Sequence, residues 1–113
     1  MLIYGDEHIW TSQSEEESRQ NGEQHQAFAA FAGSAVQDGA ELDETRTARS
    51  IRSDTQGQQI VTDGPFLETK EVFGSYYLLQ AEDMDAAVAL ARRVPEASAS
   101  HSGVEVRALV TNG

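Results

Sequence analysis

Cysteine is absent from the 113 residues, and with it go disulfides, thiolate nucleophiles and cysteine-based zinc sites. No apolar run approaches the roughly 20 residues that a membrane-spanning helix requires. The opening Met-Leu-Ile-Tyr-Gly-Asp-Glu has neither the basic region nor the small-residue cleavage site of a signal peptide. A cytoplasmic protein is the default expectation. Basic side chains are few: 8 Lys and Arg stand against 19 Asp and Glu, a formal charge of −11. Such a surface repels phosphate backbones and anionic lipid, so neither nucleic acid nor membrane is an expected partner. The Walker loop, the dinucleotide fingerprint and the Gly-x-Ser-x-Gly elbow of serine hydrolases are all missing. Proline occurs only at Pro65 and Pro95, and each marks the end of an element.

What is present suits one globular domain spanning residues 1–113, with 39% hydrophobic and 24% charged residues. Met1 to Tyr4 reads as a first strand closed by Gly5, followed by a loop from Asp6 to Thr11. Ser14 with Glu17 is a capping box, and the acids behind it suit a helix N-terminus. Gly22 costs about 1 kcal/mol of helix propensity and predicts a break or restart near Asn21. His25, Phe28, Ala29, Phe31, Ala32, Ala35 and Val36 then follow helical spacing, with Asp38-Gly39 as the expected end. Two short edge strands are expected near Glu41–Glu44 and Ala48–Arg52. Asp54-Thr55-Gln56-Gly57 turns the chain into a second hairpin arm from Gln59 to Thr62. Phe73 to Ala81 is the strongest strand, apolar on both faces. Asp83 caps a second helix that Pro95 stops, and Val104 to Val110 alternates as a last strand.

That order predicts an α+β fold: a ferredoxin-like split β-α-β sandwich with an antiparallel sheet and both helices on one face. The other face of the sheet has nothing in so short a chain to cover it. A homodimer packed sheet to sheet is the simplest solution.

The segment Val61-Thr62-Asp63-Gly64-Pro65-Phe66-Leu67-Glu68-Thr69-Lys70-Glu71 holds the only Asp-Gly-Pro turn. With Gly74 and the aromatic strand after it, this run resembles the DGPF domain of the YCII-related proteins. The opening Met-Leu-Ile-Tyr-Gly-Asp-Glu, the His25-x-x-Phe28 helix and the closing Gly103-Val104-Glu105-Val106-Arg107 resemble the same family. The resemblance covers nearly the whole chain and implies a small dimeric α+β barrel of ferredoxin-like subunits. It also implies a His–Asp pair in a cleft, here His25 and Asp63, or alternatively a regulatory role beside sigma-factor-like proteins. The chain departs from the family pattern between Glu41 and Ser53, where a Leu- or Pro-rich segment is expected.

His25 is the sharpest chemical candidate, because imidazole exchanges protons near neutrality and a carboxylate partner fixes its tautomer. The plainer reading is a structural histidine bonded to a backbone carbonyl. Asp63 at a strand end is the expected carboxylate, although Asp before Gly-Pro also makes Asx turns. Lys70 either stabilises a developing oxyanion or pairs with Glu68 on the surface. Phe28, Phe66, Glu68 and Tyr76 complete the candidate ligand-binding set, with Phe66 better suited to plug the core or anchor a dimer than to stack on a ligand. His8, His25 and His101 match no metal-ligand spacing, so no metal and no other cofactor are expected. Two functions fit. One is a cofactor-free enzyme performing proton abstraction, isomerisation or elimination on a small carbonyl-bearing or aromatic molecule. The other is a non-catalytic dimeric metabolite-binding or regulatory module.

Overall fold

The computed structural model describes residues 1–110. Its main sheet has the strand order β2-β5-β1-β6, with every neighbouring pair antiparallel. The strands are β1 (Leu2–Asp6), β2 (Val36–Glu41), β5 (Glu71–Leu79) and β6 (Ser102–Glu105). Helices α2 (Glu15–Ala32) and α3 (Met84–Ala91) provide the two crossovers, and a short helix α1 (Glu7–Thr11) follows β1. Each crossover joins strands separated by one intervening strand. This is the ferredoxin-like split β-α-β arrangement, an α+β fold. β3 (Arg49–Ser53) and β4 (Gln59–Asp63) stand apart as a two-stranded hairpin inserted between β2 and β5.

The core is small. Met1, Ile3, Phe28, Ala91 and Val94 are buried, with Trp10, Tyr77, Leu79, Leu90 and Val104 packed against them. Ile3 faces the helices, so strand alternation turns Leu2 and Tyr4 to the opposite face. Tyr76 pairs with Leu2 and Phe73 with Tyr4, which puts both on that opposite face too. The Tyr4 and Phe73 rings lie 5.7 Å apart there.

Helix α2 shows how local chemistry yields to context. Ser14 accepts from the Glu17 amide while the Glu17 carboxylate accepts from the Ser14 amide, a complete capping box. Gly22 does not break the helix. Arg19 ties Glu16 to Glu23 across it, and the burial of Phe28 nearly two turns beyond outweighs the cost of one exposed glycine.

Other expectations shift by a few residues. The helix ends at Gly33, whose φ of 55° suits glycine, rather than at Gly39. Val36 to Glu41 belongs to β2 instead, because its ladder to β5 pairs Val36 with Leu79 and Gly39 with Tyr77. The expected loop after β1 is α1, capped when the Asp6 carboxylate accepts from the His8 amide. The last strand stops at Glu105, short of the alternating run to Val110.

Candidate functional site

Three elements meet at His25. Helix α2 carries it three residues before Phe28, so the surface that buries Phe28 also receives the imidazole. Strand β5 supplies Tyr77, whose ring centroid lies 5.0 Å from that of Phe28 and 5.8 Å from that of His25. After α3, Pro95 opens a single 3₁₀ turn, Pro95–Ala97, in which Glu96 points inward and is 8% exposed.

The side chains form a hydrogen-bonded chain. His25 Nδ1 is 2.7 Å from the Tyr77 hydroxyl, and His25 Nε2 is 3.1 Å from Glu96 Oε2. Asn21, one turn earlier on α2, donates its side-chain N–H to the same Oε2 at 2.9 Å. Glu96 Oε1 is 2.7 Å from Nε2. It lies off the N–H direction, however, and has no hydrogen-bond partner among the described residues.

Burial pushes the Glu96 pKa up, but hydrogen bonds from His25 and Asn21 and the imidazole charge outweigh it. The carboxyl therefore sits below its ordinary value. Burial and then the Glu96 charge push the Tyr77 phenol up, so it keeps its proton at neutral pH. An ionised Glu96 accepts from Nε2–H. In the neutral ring this leaves the Nδ1 lone pair to accept from Tyr77 O–H. When the ring carries both protons, Nδ1–H donates to the Tyr77 oxygen, and the phenolic proton is free to turn elsewhere.

It can turn toward a groove of about 930 Å³ that lies between α1–α2 and the β2–β5 edge of the sheet. His25, Tyr77, Asn21 and Glu96 line it, together with Trp10 and Ser75. Trp10 lies flat on the sheet, and its Nε1–H donates to Ser102 Oγ at 3.0 Å. Gly5 and Gly74 make that seat: a Cβ on either would run into the indole. At the groove's far end the Glu7 carboxylate accepts from the Thr45 amide at 2.9 Å and the Thr45 hydroxyl at 2.6 Å. A second cavity of about 660 Å³ shares Trp10, Gln13, Asn21 and Glu96 with the groove and opens toward Arg92 and Arg93.

The sequence-predicted residues divide between two places. His25 is in the groove and Phe28 is buried beside it as core. Tyr76 borders the groove, but alternation along β5 sends its ring to the opposite face of the sheet from Tyr77. Asp63, Phe66, Glu68 and Lys70 lie on the hairpin arm or its return segment and are exposed.

The expected His25–Asp63 pair does not form within the chain. Asp63 ends β4 with its side chain 91% exposed, 3.6 Å from Arg49 Nε, whereas both ring nitrogens of His25 are engaged by Tyr77 and Glu96. The turn after Asp63 is made by Gly64 at φ 104°, whose amide donates to the Ala48 carbonyl. Phe66 lies under the Arg52 guanidinium, 3.8 Å from ring centroid to Cζ. No ion pair joins Glu68 to Lys70 among the described residues.

Sequence reasoning missed Tyr77, Glu96 and Asn21. Asn21 and Tyr77 left a signal: the first is four residues before His25 on one helix, and the second shares its strand face with Ser75 and Leu79. Glu96 left almost none, because a carboxylate 71 residues away enters only through the path of the chain after α3. Among the described residues, no group of three or more His, Asp or Glu side chains is placed to hold a metal ion.

The family model of the YCII-related domain matches residues 8–111. An uncharacterized protein of Rhizobium meliloti (strain 1021) is 34% identical over 111 residues, covering 96% of this chain and 89% of the relative. With a domain match over nearly its whole length and a relative at that identity, the chain belongs to the YCII-related family.

Proposed function

We propose that the groove is a cofactor-free acid–base site for a small carbonyl-bearing or aromatic molecule. The observation that carries this reading is the Tyr77–His25–Glu96 chain, built from three separate elements and opening on a cavity of about 930 Å³. Tyr77 is the group that meets the ligand. Its O–H protonates, or hydrogen-bonds to, an oxygen of the molecule, and Nδ1–H of the doubly protonated His25 replaces that proton. Glu96 holds the ring through Nε2–H and balances the imidazolium charge, so it positions His25 rather than touching the ligand. The reverse sequence draws a proton from a ligand hydroxyl. Enolisation, isomerisation and elimination all need this kind of transfer.

The same reading includes a second copy of the chain packed on the open face of the sheet. Its support is the set Leu2, Tyr4, Phe73 and Tyr76 on the face of the sheet opposite Ile3, half-buried or exposed although apolar or aromatic, with no helix among the described residues packed on that face.

A thermal-shift screen of small carbonyl and aromatic metabolites tests the site, since any ligand of the folded state raises the melting temperature by mass action. A hit whose shift disappears in Tyr77→Phe and His25→Gln, followed by turnover that fails in both variants, supports the proposal. Hits that bind and turn over unchanged in both variants contradict it.

A further inference from the structure

The groove at His25 is walled by charge of one sign. Glu7, Asp38, Glu41, Asp43, Glu44 and Glu96 border it, and no Lys or Arg does. His25 is its one basic group among the described residues, and Glu96 already balances that ring. A cleft lined by one sign of charge concentrates counter-ions and repels ions of its own sign. The groove therefore disfavours anionic ligands and draws in a molecule that carries a positive group.

Five of the six carboxylates are already engaged within the chain. Glu44 pairs with Arg46, and Glu96 accepts from His25 and Asn21. Glu7 accepts from Thr45, and Asp38 and Asp43 each accept from the amide of the next residue. Glu41 is exposed at the end of β2 and makes no side-chain hydrogen bond and no ion pair among the described residues. The ladder to β5 places this free carboxylate. Gly39 lies opposite Tyr77, and Glu41 lies opposite Ser75. Opposed residues share a face of the sheet, as do residues two apart along a strand. Tyr77 faces the helices, where its hydroxyl meets His25, and Ser75 pairs with the buried Ile3 on that face. Glu41 thus stands on the groove's floor, diagonal to Tyr77 at roughly 7–8 Å by cross-strand spacing. Gly39 puts no side chain between them, and a Cβ there would come within 3.0 Å of the Tyr77 ring. A metal ion does not match this floor, because among the described residues no three His, Asp or Glu side chains are grouped to hold one. A second acceptor at the groove is also unmatched: Glu96 Oε1, on a side chain 10% exposed, has no hydrogen-bond partner among the described residues. Unused acceptors suit a ligand that brings several N–H donors and a positive charge, as an ammonium does.

We propose that Glu41 is a specificity-determining residue of the groove, and that its ligand is a carbonyl-bearing or aromatic molecule with a protonated amine. The ammonium pairs with Glu41 while an oxygen of the same molecule meets the Tyr77 hydroxyl. This rests on the acid–base reading of the groove and narrows its ligands to cationic ones.

Three para-substituted acetophenones of similar shape test it. At neutral pH the aminomethyl compound is cationic, the ethyl compound uncharged and the carboxylate anionic. Isothermal titration of each into the full chain at low ionic strength reads the affinities. The amine is expected to bind at least about fivefold tighter than the ethyl compound, as for one ion pair at a solvated site. The carboxylate is expected to bind more weakly than either. Glu41→Gln is expected to bring the amine down to the level of the ethyl compound, whose own affinity stays unchanged. The Glu41 side chain holds nothing else in place, so the variant keeps its far-UV dichroism and Trp10 fluorescence. Glu82→Gln removes the same charge from an exposed residue outside the groove and is expected to keep the preference. Equal affinity for the amine and the ethyl compound overturns the anchor, as does a preference lost equally in Glu41→Gln and Glu82→Gln. In that event, binding of the ethyl compound that still needs Tyr77 and His25 leaves the acid–base reading standing. An amine preference that depends on Glu41 but survives Tyr77→Phe and His25→Gln upholds the anchor and contradicts the acid–base reading. No binding of any of the three at millimolar concentration contradicts both.

Discussion

At the Glu96 carboxylate, burial and hydrogen bonding pull in opposite directions, and the hydrogen bonds from His25 and Asn21 prevail. The folded-state pKa is therefore below the unfolded one, so the unfolded chain binds the proton more readily. The stability contributed by Glu96 is complete above its ordinary value of 4.5 and is lost as pH falls through the lowered folded value. Urea denaturation from pH 7 down to 3 is expected to show a fall in stability across this acid window that is shallower in Glu96→Gln. Equal slopes in the two proteins would refute the coupling. At pH 7 the substitution is expected to cost about 1.5–3 kcal/mol, the range for a hydrogen bond to a charged group. Tyr77→Phe is milder, at about 0.5–1.5 kcal/mol, because only one hydrogen bond is lost and the Phe28 packing remains. Its larger effect falls on ligand binding and turnover, where the phenolic proton is used.

Among the elements, the seat of Trp10 is the tightest fit beside the groove. Gly74→Ala drives a methyl into the indole and is expected to destabilise by about 1–3 kcal/mol, as overpacking does. Trp10 is the only tryptophan, so its emission reports the displacement directly. An unshifted spectrum with unchanged stability would refute the close seat. Removing the helix cap with Ser14→Ala is expected to cost about 0.5–2 kcal/mol by thermal unfolding, without altering the groove.

These local features were the legible part of the sequence. The capping box, the Asp83 cap, the hairpin turn at Gly57 and the long strand β5 follow from neighbours a few residues apart. Gly39 was misleading because helical spacing runs on through Ala35 and Val36, whereas Ala35 lies in a 3₁₀ turn and the ladder to β5 claims the chain from Val36 onward for a strand. The split β-α-β order was readable because element order constrains topology. His25 was readable as a candidate from its place on the Phe28 face. Its partner was not, because which carboxylate reaches a side chain is decided by the path of the whole chain. Asp63 had the suggestive motif, and Glu96 had the position.

For the molecule as a whole, the pattern is a small core under one sheet face, an opposite face carrying Tyr4 and Phe73, and a hairpin that stands apart from the main sheet. With 19 acidic against 8 basic side chains, two copies of the chain repel each other, and salt screens that repulsion. Raising ionic strength from 0.05 M to 0.5 M is expected to hold or tighten the proposed sheet-to-sheet pairing by sedimentation, and weakening with salt would contradict an apolar interface between like-charged copies. Binding of an uncharged molecule by the hydrogen-bonded chain in the groove is expected to be nearly indifferent to the same change.

The relay at His25 is open to one direct measurement: the ¹⁵N chemical shifts of its imidazole, read at a pH where the ring is neutral, in the wild type, Glu96→Gln and Asp63→Asn. With Glu96 accepting from Nε2–H and Tyr77 donating to Nδ1, the wild type is expected to hold the Nε2–H tautomer. Asp63→Asn is expected to leave it untouched, and Glu96→Gln to release it toward a mixture. A wild-type ring in the Nδ1–H form, or one that responds to Asp63→Asn and not to Glu96→Gln, would contradict the arrangement on which the proposed chemistry depends.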